Sequence, residues 1–266
     1  MKIGIIGFGV VGKAVNHTIS KKYDVVKYDK YMDLDNFEDL LQCQFVFIVV
    51  PTPFDCKKNI VDDSAIVESL QRLQDIDYKN IVIIKSTVAV GFCDRYQEKF
   101  NLNIVFNPEF LRESTSPLED FQNQSIVVIG CNDSEMYQQT KTMFEEILLP
   151  NIKYYCTSLK EAEMVKSAQN TMLASRVAIS NMIYDGCRKM NIDYDKIREI
   201  AFNPFEIIGP HMTLVPGPDG HRGFGGKCLP KDIRGFSTIY NSPLLQEIID
   251  YNDTLRDDLG KVLDNY

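Results

Sequence analysis

The stretch Lys2-Ile3-Gly4-Ile5-Ile6-Gly7-Phe8-Gly9-Val10-Val11-Gly12 opens the chain and carries its clearest fold signal. Residues 2–6 form an apolar run of the length expected for a short buried strand, and an amphipathic helical pattern continues from the glycines to about Ser20. A second apolar run, Val25-Val26-Lys27-Tyr28, follows. Strand, glycine turn, helix and strand together predict a βαβ unit.

Gly7, Gly9 and Gly12 have the spacing of a dinucleotide-binding turn. The first glycine permits a tight turn, the second lets a pyrophosphate approach, and the third allows the helix to pack closely on the strand. The pyrophosphate would lie beside Val10 and Val11, where the free N–H groups and the dipole of a helix N-terminus favour an anion. A glycine turn without a ligand is the alternative. The flanking strand and helix favour the dinucleotide site.

Asp29 closes the second predicted strand. A carboxylate in that place accepts hydrogen bonds from the adenosine ribose of a dinucleotide and repels the 2′-phosphate of NADP. The sequence therefore predicts NAD as the cofactor. The neighbouring Lys30 weakens this preference without reversing it.

Further apolar runs predict buried strands at 45–50, 81–84, 104–106 and 126–129 and an edge strand at about 152–155, with helical patterns near 62–74, 91–99 and 133–147. This alternation predicts an α/β, Rossmann-type, doubly wound parallel sheet covered by helices on both faces. Residues 159–190 then predict one long helix, followed by short helices, a Pro/Gly-rich loop at 209–226 and a last helix at about 244–263. We predict an NAD-binding domain at 1–157 and a smaller, all-helical domain at 158–266.

Composition limits the classes of function. The net charge of -8 argues against a partner of nucleic acid or of anionic membrane, and no stretch is apolar and long enough to span a bilayer. The seven cysteines are odd in number and lack any Cys-x-x-Cys spacing, which favours reduced thiols in the cytoplasm. The three histidines form no metal-spaced cluster, so we expect no metal site.

Two loops are predicted to leave the carboxyl ends of strands, the edge where ligands bind in open α/β sheets. They contain Pro51-Thr52-Pro53 and Ser86-Thr87-Val88. Pro51, Thr52, Ser86 and Thr87 are therefore candidate cofactor contacts. By spacing alone, ordinary turn chemistry is the better account of the first loop.

Cys228 lies in Gly223-Phe224-Gly225-Gly226-Lys227-Cys228-Leu229-Pro230-Lys231-Asp232. Glycines let a backbone approach a ligand closely, and the charges of Lys227 and Lys231 favour the reactive thiolate. The spacing alone is compatible with a nucleophile and with an inert thiol.

Several motifs occur together in a consistent order. They are Gly7-x-Gly9-x-x-Gly12, Val50-Pro51-Thr52-Pro53, Lys85-Ser86-Thr87-Val88, Asn107-Pro108-Glu109-Phe110-Leu111-Arg112-Glu113, Lys166-x-x-x-Asn170 and the Cys228 segment. This set resembles the UDP-glucose/GDP-mannose dehydrogenase family over residues 1 to about 260. The motifs at 107–113 and 223–232 are highly specific for that family, whereas the glycine pattern alone is not.

The resemblance implies an NAD-dependent oxidation of the primary alcohol of a nucleotide sugar to a carboxylate in two steps, with UDP-glucose as the first choice of substrate. By this resemblance Cys228 attacks the aldehyde to give a thiohemiacetal, which becomes a thioester that water cleaves. Lys166 and Asn170 would stabilise the oxyanions, because residues four apart share one face of a helix. Asp232 would position Lys166 or the attacking water.

The remaining expected roles concern hydrolysis and binding. Glu109 is the expected base for thioester hydrolysis, and Thr87 would hold the water. Glu113 is a weaker candidate that would order the loop around Glu109 and touch the cofactor. The expected substrate contacts are Glu109, Phe110, Leu111, Arg112, Lys166, Asn170, Phe224, Gly225 and Gly226, with Arg222 as a ligand of the diphosphate.

The resemblance also implies a homodimer, and the sequence departs from the family pattern at two points. The long helix at 159–190 is expected to form a homodimer, because an apolar face of that length favours a partner. Full-length members of the family continue into another α/β domain that contributes to the nucleotide pocket, so we expect this chain to lack that domain. Lys227 stands where relatives commonly have a small residue.

Two other functions remain open. A single-step 3-hydroxyacid or 6-phosphogluconate-type dehydrogenase has a similar N-terminal fold and also uses a Lys-x-x-x-Asn helix, but it needs no nucleophile at Cys228. A non-catalytic remnant that binds NAD or a nucleotide sugar would produce no NADH.

Overall fold

The structure is a computed structural model that describes residues 1–111, 117–205, 211–239 and 241–256, with the backbone alone at His211. It divides into two compact units. The N-terminal unit comprises Met1–Thr52 and Asp62–Lys166, and the C-terminal unit comprises Pro53–Val61 and Ser167–Tyr266. The predicted domain boundary at 157/158 differs from this division, because the units separate within a helix, after Lys166.

The described residues form nine strands: β1 Lys2–Ile6, β2 Asp24–Tyr28, β3 Phe45–Ile48, β4 Phe54–Asp55, β5 Ile60–Val61, β6 Ile81–Ile84, β7 Asn103–Phe106, β8 Ile126–Gly130 and β9 Lys153–Thr157. They also form nine α-helices: α1 Val10–Ile19, α2 Ser64–Asp75, α3 Phe92–Phe100, α4 Pro117–Gln122, α5 Ser134–Ile147, α6 Leu159–Lys189, α7 Tyr194–Ala201, α8 Leu229–Ser237 and α9 Pro243–Leu255. Short 3₁₀ helices lie at Phe37–Gln42 and His211–Thr213.

The N-terminal unit is built on one seven-stranded sheet with the order β2-β1-β3-β6-β7-β8-β9. The α/β fold class is confirmed. Its strands are parallel except where β8 meets β7, which pair antiparallel through Phe106 and Gly130. The sheet is thus predominantly parallel, and the antiparallel contact between β7 and β8 was not predicted.

Alternating side chains of the strands bury two cores, one on each face of the sheet. Val46 and Ile48 of β3 join a core with α2 and α3, whereas Phe45 and Phe47 of the same strand join the opposite core with α1 and α5. Burial of one such side chain stabilises a fold by about 1.5–3 kcal/mol. These cores explain why the strands read as continuous apolar runs.

The strand order reverses beside β1, with β2 on one side and β3 on the other. In open α/β sheets, ligands bind outside the carboxyl ends of the strands at such a switch point. The glycine turn follows β1 and the Pro51 loop follows β3, so the sequence motifs lie at this edge.

The C-terminal unit contains the hairpin of β4 and β5, most of α6, and helices α7 to α9. Phe224 and Ile233 pack with Ala174 and Ala178 of α6 and with Leu245 and Ile249 of α9. The long helix is confirmed at Leu159–Lys189. The hairpin was not predicted, because its two-residue strands are too short to show a period.

Candidate functional site

Gly7 makes the turn at the end of β1. Its φ is +94°, and a Cβ atom added to it would lie 2.4 Å from the carbonyl oxygen of Val49. Its N–H donates to the carbonyl of Tyr28 over 2.9 Å. A residue with a side chain would therefore strain the turn that ties β1 to both neighbouring strands.

Gly9 and Gly12 serve the start of α1 differently. A Cβ atom on Gly12 would lie 2.1 Å from the carbonyl oxygen of Gly7, whereas a Cβ atom on Gly9 would meet nothing within 4 Å. Gly9 is the N-cap of α1 and supplies no side-chain hydrogen bond, and Val10 at the first helical position is exposed. The open space and the N–H groups of the first turn fit an anion such as a pyrophosphate.

Asp29 lies between the glycine turn and the end of β2. Its Oδ2 accepts a hydrogen bond from the N–H of Phe8 over 2.8 Å, and its Oδ1 accepts one from the N–H of Tyr31 over 2.9 Å. A carboxylate has about four acceptor positions, so two remain for ribose hydroxyl groups. Lys30 points to another partner, because its Nζ contacts both carboxylate oxygens of Glu68. These groups fit the adenosine end of NAD.

The loops after β3 and β6 are tied together by hydroxyl groups. Thr52 Oγ1 donates to the carbonyl of Thr87 over 2.7 Å, and Ser86 Oγ donates to the carbonyl of Val50 over the same distance. Thr52 and Ser86 are buried and Pro51 is exposed. These bonds give Thr52 and Ser86 a structural role, whereas Pro51 is accessible to a ligand.

Lys85 is a buried cation to which the motif Lys85-Ser86-Thr87-Val88 assigned no role. Its side chain is 1% exposed, and its Nζ lies 2.9 Å from Glu109 Oε2 and donates to Asn107 Oδ1 over 2.8 Å. Asn107 in turn donates to the carbonyl of Val128. A buried lysine needs such partners, because an unpaired charge in the interior is costly. Its position directly after the apolar strand β6 gave no local sign of this contact.

Glu109 also shapes the loop that follows it. Its Oε1 accepts hydrogen bonds from the N–H groups of Phe110 and Leu111 over 2.7 and 3.0 Å. The ring of Phe110 lies 5.5 Å from Lys166 Nζ, within the range of a cation–π contact. Glu109, Phe110 and Lys166 are thus close together in the N-terminal unit. The predicted contacts Arg112 and Glu113 lie outside the described residues.

Asp232 and Asn170 meet in the C-terminal unit. Asn170 Nδ2 donates to Asp232 Oδ2, and Lys231 Nζ lies 3.2 Å from Asp232 Oδ1. The side chains of Asn170 and Asp232 are buried. Lys231, which was expected to favour the Cys228 thiolate, is thus paired with Asp232.

Cys228 is the N-cap of α8 and is exposed. Cys56 and Cys156 are exposed as well, whereas burial raises the pKa of Cys43 to about 11 and that of Cys93 well above its ordinary value. Thiols with raised pKa values are poor nucleophiles at neutral pH. Cys228 differs from the other exposed thiols in lying at the N-terminus of a helix, which favours a thiolate.

The glycine loop before Cys228 is held by α9 and by the residue after it. Asn252 Oδ1 accepts a hydrogen bond from the N–H of Phe224 over 2.7 Å, and a Cβ atom on Gly223 would lie 2.6 Å from the same oxygen. The guanidinium of Arg256 fills the space beside Gly225, whereas Gly226 has open space and a φ of +75°.

The prediction that Phe224 contacts the substrate stays a prediction. Its side chain is buried in the core of the C-terminal unit, and Asn252 pairs with both its N–H and its carbonyl. Gly225 likewise approaches Arg256 of its own chain. Of the predicted glycine contacts, Gly226 is the exposed one.

Arg222 is held by side chains of α6. Its guanidinium lies 2.6 Å from a carboxylate oxygen of Asp185 and 5.0 Å from the ring of Tyr184. A diphosphate would have to share this guanidinium with Asp185. The predicted role of Arg222 stays a prediction.

The described residues contain neither a candidate metal site nor a membrane-spanning helix. Within them, no cluster of three or more His, Cys, Asp or Glu side chains could hold a metal ion. None of the helices in this part of the chain is long and apolar enough to cross a membrane.

Known proteins resemble the chain over most of its length. UDP-glucose 6-dehydrogenase of Campylobacter jejuni is 32% identical over 247 residues, which are 90% of this chain and 60% of that protein. A UDP-glucose dehydrogenase from Pyrobaculum islandicum superposes with a TM-score of 0.80 at 21% identity, over 97% of this chain and 71% of that one. Mycobacterium tuberculosis 3-hydroxyisobutyrate dehydrogenase superposes with a TM-score of 0.71 at 13% identity, over 97% and 94%.

At these identities the two superpositions show the fold alone, and both kinds of dehydrogenase share it. Matches to models of protein families distinguish between these two kinds of dehydrogenase. Residues 26–148 match the NAD binding domain of the UDP-glucose/GDP-mannose dehydrogenase family, and residues 160–254 match its central domain. The chain therefore belongs to the UDP-glucose/GDP-mannose dehydrogenase family and carries its NAD-binding and central domains.

Proposed function

We propose that this chain carries the NAD-dependent, two-step oxidation of the primary alcohol of a nucleotide sugar to a carboxylate, with UDP-glucose as the first choice of substrate. The observation that carries the proposal is Cys228, an exposed thiol at the N-terminus of α8 in a member of this family. A covalent step needs a thiolate, which this position favours.

The proposed reaction consists of hydride transfer, addition of the Cys228 thiolate and hydrolysis of a thioester. NAD, when bound, accepts a hydride from the reacting carbon of the sugar. The hydroxyl proton passes to solvent as the alcohol becomes an aldehyde. The Cys228 thiolate would then add to the aldehyde carbon. The resulting thiohemiacetal would lose its C–H hydrogen as hydride to a second NAD and its O–H proton to solvent, which gives a thioester. A water then adds to the thioester carbon, the C–S bond breaks, and the carboxylate leaves the regenerated thiolate.

Lys166 and Asn170 are proposed to stabilise the oxyanions of these steps. A preorganised donor of this kind contributes about 3 kcal/mol to catalysis. The hydrogen bond from Asn170 to Asp232 supports the assignment, because it fixes the amide. The contact between Lys166 and the ring of Phe110 restrains the ammonium in a comparable way.

Glu109 is proposed as the base that activates the hydrolytic water, and Thr87 as the group that holds it. The N–H groups of Phe110 and Leu111 fix the direction of the carboxylate, and Lys85 provides its counter-ion. A base has to lie within hydrogen-bond reach of the proton that it takes. We therefore expect Glu109→Gln to slow hydrolysis more than hydride transfer.

The single-step dehydrogenase is the second candidate, because the chain covers 94% of a 3-hydroxyisobutyrate dehydrogenase in superposition. The two candidates differ in their need for Cys228. A single-step enzyme keeps most of its activity without the thiol, whereas the thioester route loses net formation of the carboxylate.

The test is to incubate the purified full chain with NAD and UDP-glucose, GDP-mannose or UDP-N-acetylhexosamines and to count NADH per sugar oxidised. We expect two NADH per sugar for wild type and no carboxylate for Cys228→Ala. Cys156→Ala, which removes another exposed thiol, is the matched control and should keep wild-type stoichiometry. One NADH per sugar with accumulating aldehyde would reject the proposal, and no NADH with any sugar would favour a binding remnant.

The proposal includes a homodimer through α6. Met172, Ile179 and Met182 lie on this helix at helical spacing and have exposed side chains. Large exposed apolar side chains in one stripe favour a protein partner. The proposed partner is a second copy of the chain, as the family resemblance implies.

A further inference from the structure

Lys30 directly follows Asp29 at the end of β2. A carboxylate in this place favours the free ribose hydroxyl groups of NAD, whereas a cation near it can bind the 2′-phosphate of NADP. These two neighbours thus have opposite effects on the choice of cofactor. The preference depends on whether the charge of Lys30 is available to a ligand.

Asp29 is fixed by the backbone. The N–H of Phe8 in the glycine turn holds Oδ2, and the N–H of Tyr31 holds Oδ1. A change in the side chain of Lys30 would leave these hydrogen bonds intact. The repulsion of a 2′-phosphate by Asp29 is therefore a constant part of the site.

Lys30 is paired with a helix distant in sequence. Its Nζ lies 2.8 and 2.9 Å from the two carboxylate oxygens of Glu68 on α2. The hydrogen bond and the charge of Glu68 raise the pKa of Lys30. Both side chains are about half exposed, so the pair is open to exchange with a ligand.

The cation Arg72 on α2 contacts aromatic rings. Arg72 lies one helical turn after Glu68 on α2, and its guanidinium is 3.8 Å from the ring of Phe37 and 4.8 Å from the ring of Tyr28. It also donates to the hydroxyl of Tyr28. These contacts direct Arg72 toward the rings, whereas Lys30 directly follows Asp29 in the chain.

We infer that Glu68 is a specificity-determining residue that makes this site select NAD over NADP. Glu68 pairs with the ammonium of Lys30, so the charge of this lysine is not available to a 2′-phosphate. This pairing does not act on the ribose hydroxyl groups of NAD. The inference concerns the dinucleotide alone and does not depend on which sugar is oxidised.

The experiment is a fluorescence titration of the full chain with NADH and with NADPH. Glu68→Gln keeps the size of the side chain and removes its charge, so we expect NADPH to bind about fivefold more tightly and NADH to change less than twofold. Lys30→Met combined with Glu68→Gln should lose the gain for NADPH, because the gain depends on the freed ammonium.

A matched control is available on α5, where Lys141 Nζ and Glu145 Oε1 form another exposed pair at 3.4 Å. Glu145→Gln should change neither affinity. Equal changes for NADH and NADPH in Glu68→Gln would overturn the inference, as would a gain for NADPH that persists without Lys30 or a wild type that binds no NADH. A wild type that binds NADH but oxidises no nucleotide sugar would refute the proposed function and leave this inference standing.

Discussion

Gly9 and Gly12 lie in the same turn, yet a methyl group added to each would meet different surroundings. The added group on Gly12 would overlap the carbonyl oxygen of Gly7, whereas the one on Gly9 would enter open space. The spacing of the glycines predicted a dinucleotide turn. It also assigned Gly9 to the approach of a pyrophosphate and Gly12 to close packing of the helix on the strand. The structure adds the physical reason at Gly12, where an added Cβ atom would meet the carbonyl oxygen of Gly7.

At Gly12 we expect alanine to lower the free energy of unfolding by about 1–3 kcal/mol, since a well-packed site cannot accept an extra methyl group. Gly9→Ala is the matched variant and should change stability by less than about 0.5 kcal/mol while weakening NADH binding. Urea unfolding and NADH fluorescence measure the two effects. Equal loss of stability in both variants would contradict this account.

Lys85 and Glu109 form a largely buried ion pair. Removing one partner of a buried pair leaves an uncompensated charge, so we expect Lys85→Met to lower the free energy of unfolding by about 3–5 kcal/mol. Lys85→Met combined with Glu109→Gln should cost less than the sum of the two single changes, as measured by urea unfolding. Additive costs would show that the contact of 2.9 Å contributes nothing.

At the scale of elements, α6 stabilises the start of α3. Glu163 of α6 is fully buried and accepts hydrogen bonds from the N–H groups of Gly91 and Cys93. The period of α6 predicted a long helix, but not that one of its carboxylates would cap another helix. Such a contact joins residues about 70 positions apart, and no local pattern encodes it.

Burial raises the pKa of Glu163 above its ordinary value of 4.5 in the folded state. The folded protein therefore holds this proton more tightly than the unfolded chain, and the stabilising contribution of the group is present below pH 4.5 and is lost as the pH rises through the folded pKa. We expect the difference in unfolding free energy between wild type and Glu163→Gln to fall from pH 4 toward neutral pH. Urea unfolding at several pH values measures it, and a difference that rises with pH would contradict the assignment.

At the scale of the whole molecule, two copies of the chain are proposed to assemble through a stripe of exposed apolar side chains on α6. The stripe consists of Met172, Ile179 and Met182. If this stripe joins two copies, Ile179→Glu should shift the chain from dimer to monomer in analytical ultracentrifugation, because the interface would have to bury a charge. Gln138→Glu adds the same charge on α5 and should leave the dimer intact. A wild type that sediments as a monomer at all concentrations would refute the homodimer.

The sequence by itself determined the α/β fold, the glycine turn, the long helix and the family, because apolar periods and motif spacings are local properties of a chain. It also placed Asp29 at the end of a strand, whereas the position of Cys228 at the N-terminus of α8 came from the structure. Only the tertiary structure decided the antiparallel direction of β8, the burial of Phe224, and the partners of Lys30, Lys85 and Asp232. Each of these depends on atoms that folding brings together from distant parts of the chain, where burial and pairing of charges outweigh local preference.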